Sequence, residues 1–374
     1  MKLRTFDEIS RILWIQNWSS TMTDLPTNYL GAAIFWSYIL AALAFTGLAI
    51  HTILKINPTT TRPKTHDDAN LSARSFRLFT FLATLSFATL SANMLHVLIH
   101  SFQQWHSTLP PTYLASSETA PMTWLSLIWS WSTTSTLFQD FANAILASPA
   151  RRIWTFTELG MAMTICLHLG QEGRKRQTPR LYVFFALSQI LPVSFAQGLF
   201  YLAVLRLDGG VEAERSRAAE GHGRDGGGRR REKGLMVIPS PAWVAVTCLA
   251  YGGCIAAACL LNETGFLMPL VLLARLLLLA PRFLPLRLYA DDSVAGRAVQ
   301  TALPLFALVM VGYASLTAIL DDEDYGLSIP RALFSHPAVS SLGCDAVLSV
   351  ISLALWNRIN AQAEETGRLR QKTR

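Results

Sequence analysis

A chain of 374 residues that is 51% hydrophobic and only 15% charged, with a mean hydropathy of +0.31, is too apolar to cover a soluble enzyme with polar surface. It reads as all-α, a polytopic bundle of transmembrane helices. The net charge of +7 falls in loops that flank apolar stretches, where lipid headgroups account for it; no basic domain interleaved with aromatics points to nucleic acid.

In chain order, residues 1–28 form an N-terminal extramembrane segment without the apolar core of a cleavable signal, so the first span is expected to act as the targeting signal. Asn17-Trp18-Ser19 is a glycosylation acceptor in that segment. Apolar stretches long enough to cross about 30 Å at ~1.5 Å per residue fall at nine places. They are 29–54, 76–102, 122–147, 153–170, 181–205, 242–261, 265–281, 299–320 and 338–357. The first five make a block over 29–205. A Gly/Arg-rich stretch, 206–241, is expected to be a disordered cytosolic linker. Residues 242–357 hold the last four spans, and 358–374 form a basic tail.

Lys and Arg tend to stay cytosolic. With the N-terminus lumenal and nine spans, cytosolic segments carry 23 of them and the opposite side 8, and this favours nine spans over eight. Arg174, Lys175, Arg176 and Arg180 are left on the wrong side. The five cysteines, Cys166, Cys248, Cys254, Cys259 and Cys344, lie in spans without C-x-x-C spacing and read as packing residues.

Polar residues recur at helical spacing in several spans. Ser86, Thr89, Asn93, His96 and His100 share one face of the second, and Ser126, Ser130, Thr133, Thr136, Asp140 and Asn143 one face of the third. Both stripes are expected to face the bundle interior. Pro192 is expected to kink the fifth span between Gln189 and Gln197 by freeing the carbonyl of Ser188.

Carboxyl groups inside a membrane carry the main functional signal, because each costs roughly 2.5–3.5 kcal/mol on insertion scales. Asp140 and Glu158 lie at matching depths on either side of the short connector 148–152, so they are expected to face each other. Burial disfavours the charged form of a carboxyl, and a like charge nearby does so further. A pair of this kind suits general-acid chemistry. Asp345 in the last span is a second candidate acid, with a salt bridge to Arg275 as its structural explanation. A single H-x-x-x-H, His96 and His100, lacks the further ligands that a metal needs, and no metal or other cofactor is expected. Asp321-Asp322-Glu323-Asp324 lacks D-D-x-x-D spacing and reads as a solvated turn.

Phe138-Gln139-Asp140-Phe141, Thr157-Glu158-Leu159-Gly160, the stretch 188–197 around Pro192, and Gly343-Cys344-Asp345 resemble segments of the fungal membrane-bound terpene cyclases of meroterpenoid pathways, of the ascofuranone and macrophorin type. The resemblance covers most spans and has no counterpart for the Gly/Arg-rich linker. It implies a secondary-metabolite enzyme of the endoplasmic reticulum, working beside other membrane enzymes of its pathway. The reaction would be acid-initiated cyclisation of a farnesylated aromatic or polyketide substrate, with no metal. Mapped onto this chain, Asp140 would donate the proton, Glu158 would tune it, and Asp345 would be a second acid or the terminating base. Asn143, Gln189 and Gln197 would orient the substrate or the acids; apart from the resemblance, Phe138 and Phe141 flank Asp140 in the sequence, and their ring faces suit a bound cation. The same acids would equally serve a proton-coupled transporter, and a non-catalytic membrane protein is the third reading.

Overall fold

The computed structural model describes residues 28–56, 66–108, 124–135, 137–190, 192–221, 238–239, 249–254, 273, 275–276, 289–290 and 325–372. Its helices are α1 (Tyr29–Lys55), α2 (His66–Ser107), α3 (Trp124–Thr134), α4 (Leu137–Leu146), α5 (Pro149–Lys175), α6 (Leu181–Ile190), α7 (Val193–Gly221), α8 (Tyr325–Ser335) and α9 (Pro337–Lys372). The strands among the described residues are two-residue pieces, Ile238–Pro239 (β1) and Tyr289–Ala290 (β2), paired antiparallel.

Three of these helices are long and apolar enough to cross a membrane: α1, α2 through Ala73–Ser107, and α9 through Pro337–Gln362. Leu40, Leu43, Leu54 and Phe81 on them are each more than 60% exposed, an arrangement suited to lipid and costly in water. The spans expected at 242–261, 265–281 and 299–320 lie almost wholly outside the described residues, as do the N-terminal segment with Asn17 and the acidic turn 321–324.

The chain divides into two compact units. The first joins the start of α1, the end of α2, and α3. Asn28 caps α1, its Oδ1 accepting the Gly31 N–H at 2.8 Å, and donates its own N–H to the Thr133 carbonyl. Trp105 donates to Thr134 Oγ1 at 2.8 Å, and Trp131 packs edge-on against Phe35 and Phe102. The expected span 122–147 is not one continuous helix. Ser132, Thr133 and Thr134 turn their hydroxyls back onto the carbonyls of Trp129 and Ser130, a competition that weakens helix, and α3 stops at Thr134.

The second unit holds the rest of α1 and α2 with α4 to α9. Ser148 caps α5, with Pro149 in the first turn, where a missing N–H costs nothing. Its core is apolar, with Phe79, Ile165, Leu169, Phe184, Leu187, Phe200 and Tyr201 almost fully buried.

The stretch expected as one kinked span at 181–205 is a helical hairpin. Leu181 of α6 packs on Gly173 of α5, and the Ser188 hydroxyl meets the Cys166 thiol at 3.4 Å, so α6 runs against α5. Beyond Pro192 the chain reverses. Phe200 of α7 packs edge-on against Phe184 of α6, and Tyr201 against His168 of α5. Proline removes one N–H and pushes the preceding residue away from helix, which makes a full reversal affordable where the tip is held by other groups. Past residue 205, α7 continues to Gly221, so the beginning of the expected disordered linker is helical. Its Glu, Ala and Arg residues favour helix intrinsically.

Candidate active site

Two acids meet in the interior of the second unit. Glu158, ten residues into α5, is 1% exposed, and Asp345, two turns into α9, is 7% exposed. Their carboxyl groups face each other closely enough to interact. Close packing of α9 allows the approach: a Cβ on Gly343 would collide with Leu333 and lie 3.0 Å from the Trp154 ring.

Asp345 is also the cap of α7. Its Oδ2 accepts the Val193 N–H at 2.8 Å, its Oδ1 accepts the Ser194 N–H at 2.9 Å, and the Ser194 hydroxyl is bonded to the same oxygen. Ser86 of α2 joins through the Ser194 hydroxyl. At the other half of the hairpin tip, Arg275 Nη1 donates to the Gln189 carbonyl at 2.7 Å. A carboxylate thus sits at a helix N-terminus and a guanidinium at a helix C-terminus, each the sign that the helix dipole favours. Arg275 makes no ion pair with Asp345, so the salt bridge expected between them is replaced by these two caps.

Among the described residues, four buried polar atoms on the helices around the pair have no hydrogen-bond partner: Glu158 Oε2, Gln189 Oε1, Gln197 Oε1 and Ser349 Oγ. Native interiors leave few such atoms. Phe195, next to Ser194 in the chain, packs its ring 5.2 Å from that of Phe87.

The structure does not pair Asp140 with Glu158. Asp140 lies half-buried in the first turn of α4, where an acid suits the helix dipole, and the acid that meets Glu158 is Asp345. Equal distance from the connector 148–152 fixes how far along each helix the two acids lie but not which way their side chains face, and the neighbour that faces Glu158 comes from α9. Asn143 is exposed on α4, Phe141 is half-buried, and the side chain of Phe138 lies outside the described residues. Gln189 and Gln197 do reach the site. Of the second-span stripe Ser86 is buried, whereas His96 and His100 are exposed. Among the described residues no three His, Cys, Asp or Glu side chains come together as metal ligands.

Two contributors, Ser194 and Tyr251, carry no signal of a role in the sequence, and Ser86, expected to face the interior with its stripe, gains its place at the acids only through the hairpin. Tyr251, fully buried, donates its hydroxyl to the Leu159 carbonyl at 2.8 Å, beside Glu158 in the chain. Comparison with family models, with curated proteins and with solved structures gives no match.

Proposed function

We propose that the chain is a membrane-bound terpene cyclase of meroterpenoid biosynthesis, acting on a farnesylated aromatic or polyketide substrate with or without a terminal epoxide. The buried Glu158–Asp345 pair is the observation that carries this reading. Two buried carboxyl groups side by side favour keeping a proton between them. Asp345 is engaged by two backbone N–H groups and a hydroxyl, which leaves Glu158 as the acid assigned to deliver the proton. Glu158 delivers that proton to the epoxide oxygen or terminal alkene of the prenyl chain, new C–C bonds form as the cation propagates, and the final cation returns a proton to the pair. Substrate and product are isomers. Phe195 and Phe87 give the cation a water-poor wall with negative ring faces.

The proposed setting is the endoplasmic reticulum membrane, with the N-terminus lumenal and the C-terminus cytosolic. The hairpin supports that orientation. Arg206 donates to the Ile53 carbonyl and lies over the Phe76 ring, so 55–77 and 206–241 join the helices at one end, and the reversal at Pro192 brings 171–180 to it. The basic stretch expected as a tail, 358–374, continues α9 to Lys372 and begins at the same end, because Arg176 reaches Asn360. These four stretches carry 22 Lys and Arg residues, against five in 1–28, 103–121 and 148–152. The charges stranded by a spanning 181–205 segment thereby join the basic side.

The test is conversion by membranes containing the full chain. A farnesylated phenol or its epoxide should yield a cyclic isomer of unchanged mass, and Glu158→Gln should abolish it. No isomer across both substrates rejects the cyclase. The helix ends at the hairpin tip favour a second reading, since transporters hold ions and substrates at such ends. Uptake by proteoliposomes that follows an imposed pH gradient, without isomer formation, would select that reading.

A further inference from the structure

We propose that a hydrated proton path runs inside the second unit from the Glu158–Asp345 pair to the end of the bundle marked by Glu172 and Arg176. Three helices define it by meeting at two levels. At the first, Glu158 of α5 faces Asp345 of α9, which is hydrogen-bonded to the start of α7. At the second, His168 of α5 packs edge-on against Tyr201 of α7, which stacks on Trp356 of α9 with ring centroids 4.3 Å apart. All three helices therefore run the same way between the levels.

Polar atoms continue along the space between. Ser349 lies one turn beyond Asp345 on α9, and Gln197 one turn beyond Val193 on α7; both are fully buried, and Ser349 Oγ and Gln197 Oε1 lack partners. The other end of the Gln197 amide donates to the Tyr201 hydroxyl at 3.0 Å. His168 Nε2 and the Trp356 indole N–H, at the second level, are again buried and unpartnered. One turn past His168 is Glu172, paired with Arg176, and both side chains reach the surface. An apolar helix interface would not place five unpartnered polar atoms in sequence from Glu158 Oε2 to the surface pair. Water serves buried groups of this kind, each water needing two to four polar partners. The path covers the fourteen residues from Glu158 to Glu172, about 21 Å at ~1.5 Å per residue.

Under the proposed cyclase reading, on which this purpose rests, the path restores the proton to Glu158 whenever the final cation gives its own up elsewhere. A proton enters at Glu172, passes by water and the Tyr201 and Ser349 hydroxyls, and arrives at the pair, so nothing else is consumed.

The test needs no substrate. Full-length protein in phospholipid nanodiscs is moved into heavy water, and infrared spectroscopy follows the carboxyl C=O band that Glu158→Gln removes. In the wild type this band should shift while the backbone of the core remains protected. Gln197→Leu and His168→Phe should slow the shift by about tenfold, equivalent to about 1.4 kcal/mol on the barrier. Thr164→Val, which removes a hydroxyl bonded only to its own helix at Gly160, should leave the rate unchanged. If Gln197→Leu does not fold, Ser349→Val with His168→Phe carries the test. Wild-type rates in the path variants overturn the proposal, as does a wild-type carboxyl that exchanges only on unfolding or the lack of any band removed by Glu158→Gln. Slowed exchange in a protein that forms no cyclic isomer keeps the path and rejects the cyclase; isomer formation with unslowed exchange rejects the path alone.

Discussion

Asp345 holds Ser194 twice, accepting its backbone N–H at 2.9 Å and bonding its hydroxyl through the same Oδ1. The side chain that presents a carboxyl to Glu158 therefore also fixes the tip of the hairpin. Removing it as Asp345→Ala leaves the N–H groups of Val193 and Ser194 buried without acceptors, and hydrogen bonds to a charged group are worth about 1.5–3 kcal/mol each. We expect Asp345→Ala to lose about 3 kcal/mol or more in thermal unfolding followed by circular dichroism in detergent. Asp345→Asn keeps one acceptor oxygen and should lose roughly half as much.

Glu158→Gln separates chemistry from stability. The amide matches the carboxyl in shape and can donate to Asp345, so unfolding temperature should stay close to wild type. Turnover should fall by about 10²–10⁴, the usual contribution of a positioned general acid. Asp140→Asn should leave turnover near wild type, because Asp140 belongs to the first turn of α4 and not to the pair. A large activity loss in Asp140→Asn with none in Glu158→Gln would return the role to the residue first suggested by depth.

These two acids show how much of the site was legible in the sequence. Glu158 and Asp345 stand out because a carboxyl in an apolar stretch is expensive, and that cost is local and visible. Their pairing is not local: it is made where α5 packs on α9, and nothing within either helix announces it. Pro192 is likewise visible as a break, but one missing N–H is compatible with a kink or with a reversal. What decides is the ring contact of Phe184 with Phe200 and the capping by Asp345 and Arg275, all of them tertiary. For Asp140 the sequence supplies depth alone: its distance from the connector matches that of Glu158, but depth does not say which way a side chain faces. In the same stripe Thr133 turns its hydroxyl onto the carbonyls of its own helix.

The packing that supports the hairpin has a sharp steric test. A Cβ on Gly198 of α7 would lie 2.9 Å from the Ala83 Cβ and 3.3 Å from its Cα, and backbone cannot swing aside as a flexible side chain can. Gly198→Ala should therefore destabilise by about 1–3 kcal/mol despite the higher helix propensity of alanine. The double variant Gly198→Ala with Ala83→Gly should recover most of that loss in the same unfolding measurement, since it relieves the nearest contact.

Topology offers the strongest test of the hairpin itself. A spanning 181–205 segment puts residues 175 and 222 on opposite sides of the membrane; the hairpin puts them on the same side. In a background with the five native cysteines replaced by serine or alanine, Lys175→Cys and His222→Cys are labelled in sealed microsomes with a membrane-impermeant maleimide. The Lys175 position is exposed in the structure, so reagent can reach it. Both variants should label from the cytosolic face without detergent. Labelling of His222→Cys alone, with Lys175→Cys reacting only after the microsomes are opened, would make the segment a span and remove the geometric basis for Asp345 capping α7 within the bilayer. The positive-inside tendency points to the first result, because Arg174, Lys175, Arg176 and Arg180 then share a face with Arg229, Arg230 and Arg231.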